Sequence, residues 1–277
     1  DPKMASDPAT ESTFPLILRL LIPTAWIWLP VSSINPLYWS LLLIFFAVFS
    51  FYLQPLTMTM VIAVVSGWLT YSYLNRTPAK IAPLDAKVSG KEDGEMLFFI
   101  HGWPDTGDLW RRNVPVLAKK YRTVTITWPA FQGRASKLNS WGYSFDEMLE
   151  CCMLTIKREL EAAGKKQCVI VGHDWGAYLT ELLVTKYPDM FKASVIIDVF
   201  LGAYKIPRIS SVAMFGVCYQ YLLIFVFLLD GFPLVGSSIA DYMLYGWLKA
   251  IKRPTYPYGS RPDAASCYPY FYFHLDA

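Results

Sequence analysis

Gln167-Cys168-Val169-Ile170-Val171-Gly172-His173-Asp174-Trp175-Gly176-Ala177 decides how this 277-residue chain is read. A β-branched run breaks off at Gly172, Asp174 stands at the break, and Gly176 opens a helical stretch, Tyr178-Leu179-Thr180-Glu181-Leu182-Leu183. A strand, a sharp turn and a helix in that order lift the residue at the turn clear of the sheet edge. Small residues are needed at 172 and 176 because the turn brings strand and helix too close for a Cβ. A carboxylate presented in this way can attack an electrophilic carbon and leave an alkyl ester, which water must then cleave. Aspartate also serves well as a helix N-cap, a role compatible with the turn, so the flanking glycines carry the argument.

Outward from this stretch, strands and helices alternate. Met96–Ile100 is a continuous apolar run, as a strand buried on both faces should be. His101-Gly102-Trp103-Pro104 follows it, then a helix near Leu109–Lys120 and a strand over Thr123–Thr127 that leads into Trp128-Pro129-Ala130-Phe131-Gln132-Gly133-Arg134. Ser144-Phe145-Asp146-Glu147 has capping-box spacing. Phe145, Met148, Leu149, Cys152, Ile156 and Leu160 keep helical spacing, and Gly164 ends the run. Ala193–Val199 reads as another buried strand. The alternation implies a parallel sheet with right-handed crossovers. Residues 76–94 read as a polar linker with Pro78, Pro83 and Gly90, without a visible hairpin.

The front of the chain is of a different kind. Apolar residues make up 54% of the whole and the mean hydropathy is +0.31, yet no Asp, Glu, Lys or Arg occurs from Leu20 to Asn75. Residues 1–75 therefore read as a membrane-anchor region with helices near 14–29, 37–53 and 56–74. The first, with Pro15, Arg19 and Pro23, suits an interfacial helix; a signal peptide is its rival. The other two, parted by Gln54-Pro55, suit two passes of the bilayer, against a buried helical hairpin as the alternative. Tyr38, Trp39, Trp68, Tyr71 and Tyr73 fall near one interface. Arg76, Lys80, Lys87 and Lys91 follow the last run, so the positive-inside rule puts the catalytic part in the cytosol. A net charge of +3 is too small to suggest nucleic acid. Five cysteines (151, 152, 168, 218, 267) show no metal spacing and read as reduced thiols. No metal or cofactor is expected.

Gly172-His173-Asp174-Trp175-Gly176, with His101-Gly102-Trp103-Pro104 upstream, resembles the α/β-hydrolase epoxide hydrolases and haloalkane dehalogenases. The likeness is good over about 95–200, faint over 200–277 and absent before 90. It implies an α/β-hydrolase sheet over 95–200, incomplete at its C-terminal end, with a helical cap over 201–277 and the membrane region in front. The uncharged run Ile209–Leu229 fits a cap helix and is also long enough for a third span.

By the same resemblance Asp174 is the nucleophile, and the backbone N–H groups of Trp103 and Trp175 form the oxyanion hole. Tyr219 and Tyr272 are the cap candidates for acid on the leaving oxygen, with aromatic packing as the plainer reading of each. Asp198 matches the position of an acid in some dehalogenases, or it caps a strand end. His101 reads as a structural histidine. His173 sits too close to Asp174 in the turn to serve its ester as base. The family's water-activating histidine follows the last strand, and only His274 lies downstream of the turn, in a cap-like aromatic segment. The expectation is that the histidine-bearing strands follow Ala277 in a longer chain, that 1–277 is a fragment, and that its sheet exposes an apolar edge.

Two functions remain in view. One is a membrane-anchored hydrolase acting on a small hydrophobic epoxide through Asp174, with dehalogenation as a weaker variant. The other is a non-catalytic membrane protein that uses a degenerate hydrolase domain as a binding module. The lipid bilayer is the one further partner expected.

Overall fold

The structure is a computed structural model, described here for residues 55–131, 141–198, 211–232, 236–251 and 262–276. The chain divides into two compact units, Asp1–Arg76 and Thr77–Ala277. In the first, Pro55–Leu74 forms helix α1, which matches the expected run 56–74. It ends where Asn75 turns back on it, with both its backbone N–H and its side-chain Nδ2 donating to the Tyr71 carbonyl, at 3.0 and 2.8 Å. Met60, Val64 and Tyr71 are each more than 60% exposed. Among the described residues no helix is long and apolar enough to cross a membrane. The stretches expected near 14–29 and 37–53 lie outside the described residues.

The second unit is built on five strands, β1 Ala86–Gly90, β2 Met96–Ile100, β3 Arg122–Ile126, β4 Cys168–His173 and β5 Phe191–Ile197, in the order β1-β3-β2-β4-β5. β3, β2, β4 and β5 run parallel, as the alternation of elements implies, and β1 pairs antiparallel with β3. β2 is buried at all five positions, because helices cover one face and loops and helices the other.

Two strands differ from the sequence reading. β1 lies inside the stretch read as a linker. Its residues Ala-Lys-Val-Ser-Gly are mostly exposed and show no apolar alternation, so the strand is held by its backbone ladder to β3 and by the Ser89–Thr123 hydroxyl pair at 2.8 Å. β5 is not a buried strand. Among the described strands it pairs with β4 alone, and Val195 and Ile197 stand 46% and 38% exposed.

Helix α2, Phe145–Ala162, follows its sequence signals closely. The Ser144 Oγ accepts from the Glu147 N–H at 3.2 Å and the Glu147 carboxylate accepts from the Ser144 N–H at 2.8 Å, which completes the capping box. Met148, Leu149, Cys152, Ile156 and Leu160 form its buried stripe, and Gly164 leaves the helix at φ 63°. The linker is tied to α2 as well: the Leu84 N–H donates to Thr155 Oγ1 at 2.8 Å. The expected helix near 109–120 breaks into a 3₁₀ segment, Gly107–Arg112, and a single turn, Val114–Leu117, because Pro115 lacks the N–H that would continue the ladder. All five cysteines are free thiols.

Helix α3, Trp175–Lys186, follows β4 directly. Beyond β5 lie α4 Ser211–Asp230, α5 Gly236–Ala250, a 3₁₀ turn Ala264–Cys267 and α6 Tyr268–Asp276. α4 buries Leu223, Val226 and Phe227, and α5 buries Ala240, Leu244 and Leu248 at four-residue spacing. α4 packs on both α5 and α6. Of the uncharged run 209–229, the part from Ser211 onward lies in α4.

Ile156→Ala should lower the unfolding free energy by about 2–5 kcal/mol, since it empties a fully buried position. Val88→Ala, on exposed β1, should stay within about 0.5 kcal/mol. Urea unfolding of both variants checks the contrast, and an equal cost would mean that β1 is held by side chains after all.

Candidate active site

The turn between β4 and α3 puts Asp174 at φ 54°, ψ −125°, a conformation that costs a non-glycine residue about 1–3 kcal/mol. The surroundings hold it there. The Asp174 N–H donates to the Ile197 carbonyl at 3.1 Å, and its own carbonyl accepts from Ala177 at 2.8 Å. A Cβ at Gly176 would meet the Ile100 and His101 carbonyls at 2.5 and 2.6 Å, and one at Gly172 would meet the Gly176 carbonyl and Thr180 Oγ1. The two glycines are set by this close approach of helix to strand.

Asp174 does not use its side chain as an N-cap. Its Oδ2 accepts instead from the backbone N–H of Trp103, at 2.7 Å, on the loop that follows β2. Trp175 is the first residue of α3, so its N–H is one of the helix's orphan donors.

His101 fixes the Trp103 loop from below. It is fully buried; its Nδ1 lies 2.8 Å from the Gly102 carbonyl and its Nε2 accepts from the Trp128 N–H at 3.0 Å. Both bonds together require the neutral ring with its proton on Nδ1. Burial holds the pKa down at about 4. This is the structural role expected from the sequence.

A cavity of about 310 Å³ opens over Asp174, walled by Trp103, Tyr219, Trp247, Tyr270, His173 and Asp198. Tyr270 meets Trp103 edge-on at 5.6 Å and Tyr219 at 5.9 Å, while Tyr219 stacks on Trp247 at 6.0 Å. Burial first, then the Asp174 carboxylate, pushes the Tyr270 hydroxyl well above its ordinary pKa. It therefore stays a protonated donor at neutral pH. Asp198, at φ 78° just after β5, bonds His173 Nε2 through its Oδ2 at 2.9 Å, and its side chain is 69% exposed at the cavity mouth.

The structure thus gathers Asp174, Trp103, Tyr219 and Asp198 at one cavity, with the Trp175 backbone beside it. Tyr272 is not among them. It is 1% exposed and packs on Phe271 at 5.2 Å, because two residues along α6 turn a side chain through most of a half-circle from the face that carries Tyr270. Tyr270 and Trp247 escaped the sequence reading. Tyr270-Phe271-Tyr272-Phe273 is aromatic on every face, so its pattern cannot pick the cavity side, and Trp247 has no local signal at all. None of the three histidines presents a base to the cavity. Both His101 nitrogens are engaged, His173 has Nε2 on Asp198 and a buried Nδ1, and His274 lies outside the cavity with Nε2 on Gln220 Oε1 at 2.8 Å.

Residues 95–232 match a family model described as alpha/beta hydrolase fold. The chain is 26% identical over 111 residues to epoxide hydrolase 4 of Mus musculus, a match covering 40% of this chain and 30% of that protein. It is 31% identical over 100 residues to epoxide hydrolase B of Mycobacterium tuberculosis, covering 35% and 27%. The chain spans under a third of the length of these curated relatives. The crystal structure of epoxide hydrolase VrEH1 from Vigna radiata is similar at a TM-score of 0.48, with 16% identity over 73% of this chain and 72% of that one.

His101 and His274 both have pKa values lowered by burial, to about 4. A histidine with a lowered folded pKa stabilises fully above its unfolded value near 6.5, and the contribution is lost as pH falls toward 4. Unfolding should therefore take up about two protons near pH 5. Urea unfolding between pH 7 and 5 measures this as a slope, and a flat profile would contradict the neutral, buried state of both rings.

Proposed function

We propose, for a chain that carries an epoxide-hydrolase-like α/β-hydrolase domain, that it opens a small hydrophobic epoxide through a covalent ester at Asp174. The observation that carries the reading is a carboxylate at the elbow, held by a backbone N–H on one oxygen and facing an aromatic cavity with two tyrosines. With Oδ2 on the Trp103 N–H, the other carboxylate oxygen attacks an epoxide carbon. The ring carbon–oxygen bond breaks, and Tyr219 and Tyr270 both donate to the ring oxygen, which stays on the neighbouring carbon as a hydroxyl after one of them gives up its proton and becomes a tyrosinate. Water then adds to the ester carbonyl, returning one proton to the tyrosinate and giving the other to the diol oxygen that leaves Asp174, and the charge that develops on Oδ2 falls to the Trp103 and Trp175 N–H groups. The ester breaks to restore Asp174, and epoxide plus water becomes a diol. The aromatic walls suit an apolar substrate, and the chemistry calls on no metal or cofactor.

The second reading, a binding module without turnover, draws on the same geometry, because no histidine offers the cavity a base. Mass spectrometry separates the two. Incubation with an aryl epoxide should add the reagent's mass to the peptide that contains Asp174, and Asp174→Asn should abolish the adduct. In heavy-oxygen water a hydrolysed ester leaves label in Asp174. A protein that binds the epoxide but never forms the adduct is the binding module, and label found in the diol alone after one turnover removes Asp174 as nucleophile.

We also place the domain at a membrane, facing the cytosol. The support is the uncharged sequence from Leu20 to Asn75, the basic residues after it, and the apolar residues that α1 leaves exposed. The protein should resist carbonate extraction, and protease added to sealed microsomes should digest the part beyond residue 76. Release by carbonate removes the anchor, and protection of that part reverses the orientation.

A further inference from the structure

Trp103 makes a second directed bond, through its side chain. Its indole Nε1–H donates to Ser266 Oγ at 3.1 Å, across the gap between the β2 loop and the 3₁₀ turn of the cap. Trp103 is 3% exposed and Ser266 1%, so water does not compete for either group. The serine is itself aimed. Its hydroxyl donates to the Asp263 carbonyl at 2.7 Å and its backbone N–H donates to Asp263 Oδ1 at 3.2 Å. A hydroxyl has one proton, and here it is committed to Asp263, which leaves the oxygen able only to accept from the indole. The turn that carries Ser266 is pinned in turn to α5, because the Ala264 N–H donates to Asp241 Oδ1 at 2.9 Å.

We propose that Ser266 is a positioning residue for the nucleophile: by holding the Trp103 indole it fixes the backbone N–H of the same residue on Asp174 Oδ2. The proposal rests on the reading of Asp174 as nucleophile. A run of three bonds links the cap to the carboxylate, from the Asp263 carbonyl through Ser266 Oγ and Trp103 to Asp174 Oδ2. With Oδ2 held, rotation of the carboxylate is stopped and the attacking atom is defined as the other oxygen. A carboxylate free to rotate would present either oxygen and would lose its donor in the ester-cleaving step. The cap thereby does more than roof the cavity, since it sets the angle of the group that reacts.

The test follows the Trp103 amide directly, so that it does not depend on turnover. In nitrogen-15-labelled protein, exchange of the Trp103 backbone amide should be about tenfold faster in Ser266→Ala and in Trp103→Phe, while amides of β2 and α3 keep the parent rate. Ser266→Thr, which retains the acceptor, should keep exchange within about twofold of the parent. Adduct formation at Asp174 by an aryl epoxide should slow by about tenfold in both single variants, part of the roughly hundredfold that an ångström of misplacement costs. The double variant should be no slower than the slower single, because both act through one bond. Unchanged exchange at Trp103 in Ser266→Ala overturns the proposal, as does faster exchange spread evenly over the domain. If the parent forms no adduct, the hydrolase reading falls, and the amide measurement still decides whether Ser266 holds Trp103.

Discussion

The bond from the Trp103 N–H to Asp174 Oδ2 joins two loops that leave neighbouring parallel strands, and both loops are shaped to make it. On one side the elbow holds Asp174 in a backbone region that only a tightly packed surround sustains, with Gly172 and Gly176 removing the Cβ atoms that would push α3 off β4 and off the end of β2. On the other, His101 uses Nδ1 to hold its own loop at the Gly102 carbonyl and Nε2 to tie that loop to Trp128 in the loop after β3. Gly102 belongs to the same constraint, since a Cβ there would run into the Asp174 carboxylate. A backbone donor aimed at a side-chain oxygen over 2.7 Å tolerates little drift in either loop.

The helices beyond β5 line the cavity with side chains that the strand ends lack. The strand ends offer a carboxylate and amide donors, while the hydroxyls that face them come from α4 and α6 as Tyr219 and Tyr270. Edge-to-face contacts of Tyr270 with Trp103, Trp175 and Tyr219 fix those rings. Asp198 and His173 sit at the rim, where solvent reaches the aspartate.

Features with a local cause were legible in the sequence. β2 and β4 announced themselves as apolar runs, the elbow by its two glycines, and α2 by its capping box and stripe, because each signal lies within a few residues of the element that it makes. What needed the third dimension was not legible. β1 is a strand only because β3 lies beside it; β5 looks buried from its composition yet has one neighbour among the described strands. The cavity faces of α4 and α6 depend on helix rotation, which an all-aromatic run such as Tyr270-Phe271-Tyr272-Phe273 does not encode, so Tyr272 was expected where Tyr270 stands. The partnership of Asp198 with His173, like that of Ser266 with Trp103, spans the fold and leaves no trace in spacing.

β1 has a consequence for how freely its sequence can vary. Its place in the sheet is stored mainly in the N–H and C=O groups that pair Ala86–Gly90 with Arg122–Ile126, with the Ser89–Thr123 hydroxyl pair and the exposed Lys87–Asp108 ion pair as its side-chain ties. Such a segment can be rewritten almost letter by letter while the chain keeps its shape. Proline is the exception wherever an N–H faces β3, since it deletes the donor that defines the strand. Gly90 is the other restricted letter: it sits at φ 95°, hard against the Tyr121 carbonyl. Between those two limits the edge strand should tolerate substitution, while the loops after β2 and β4 should not.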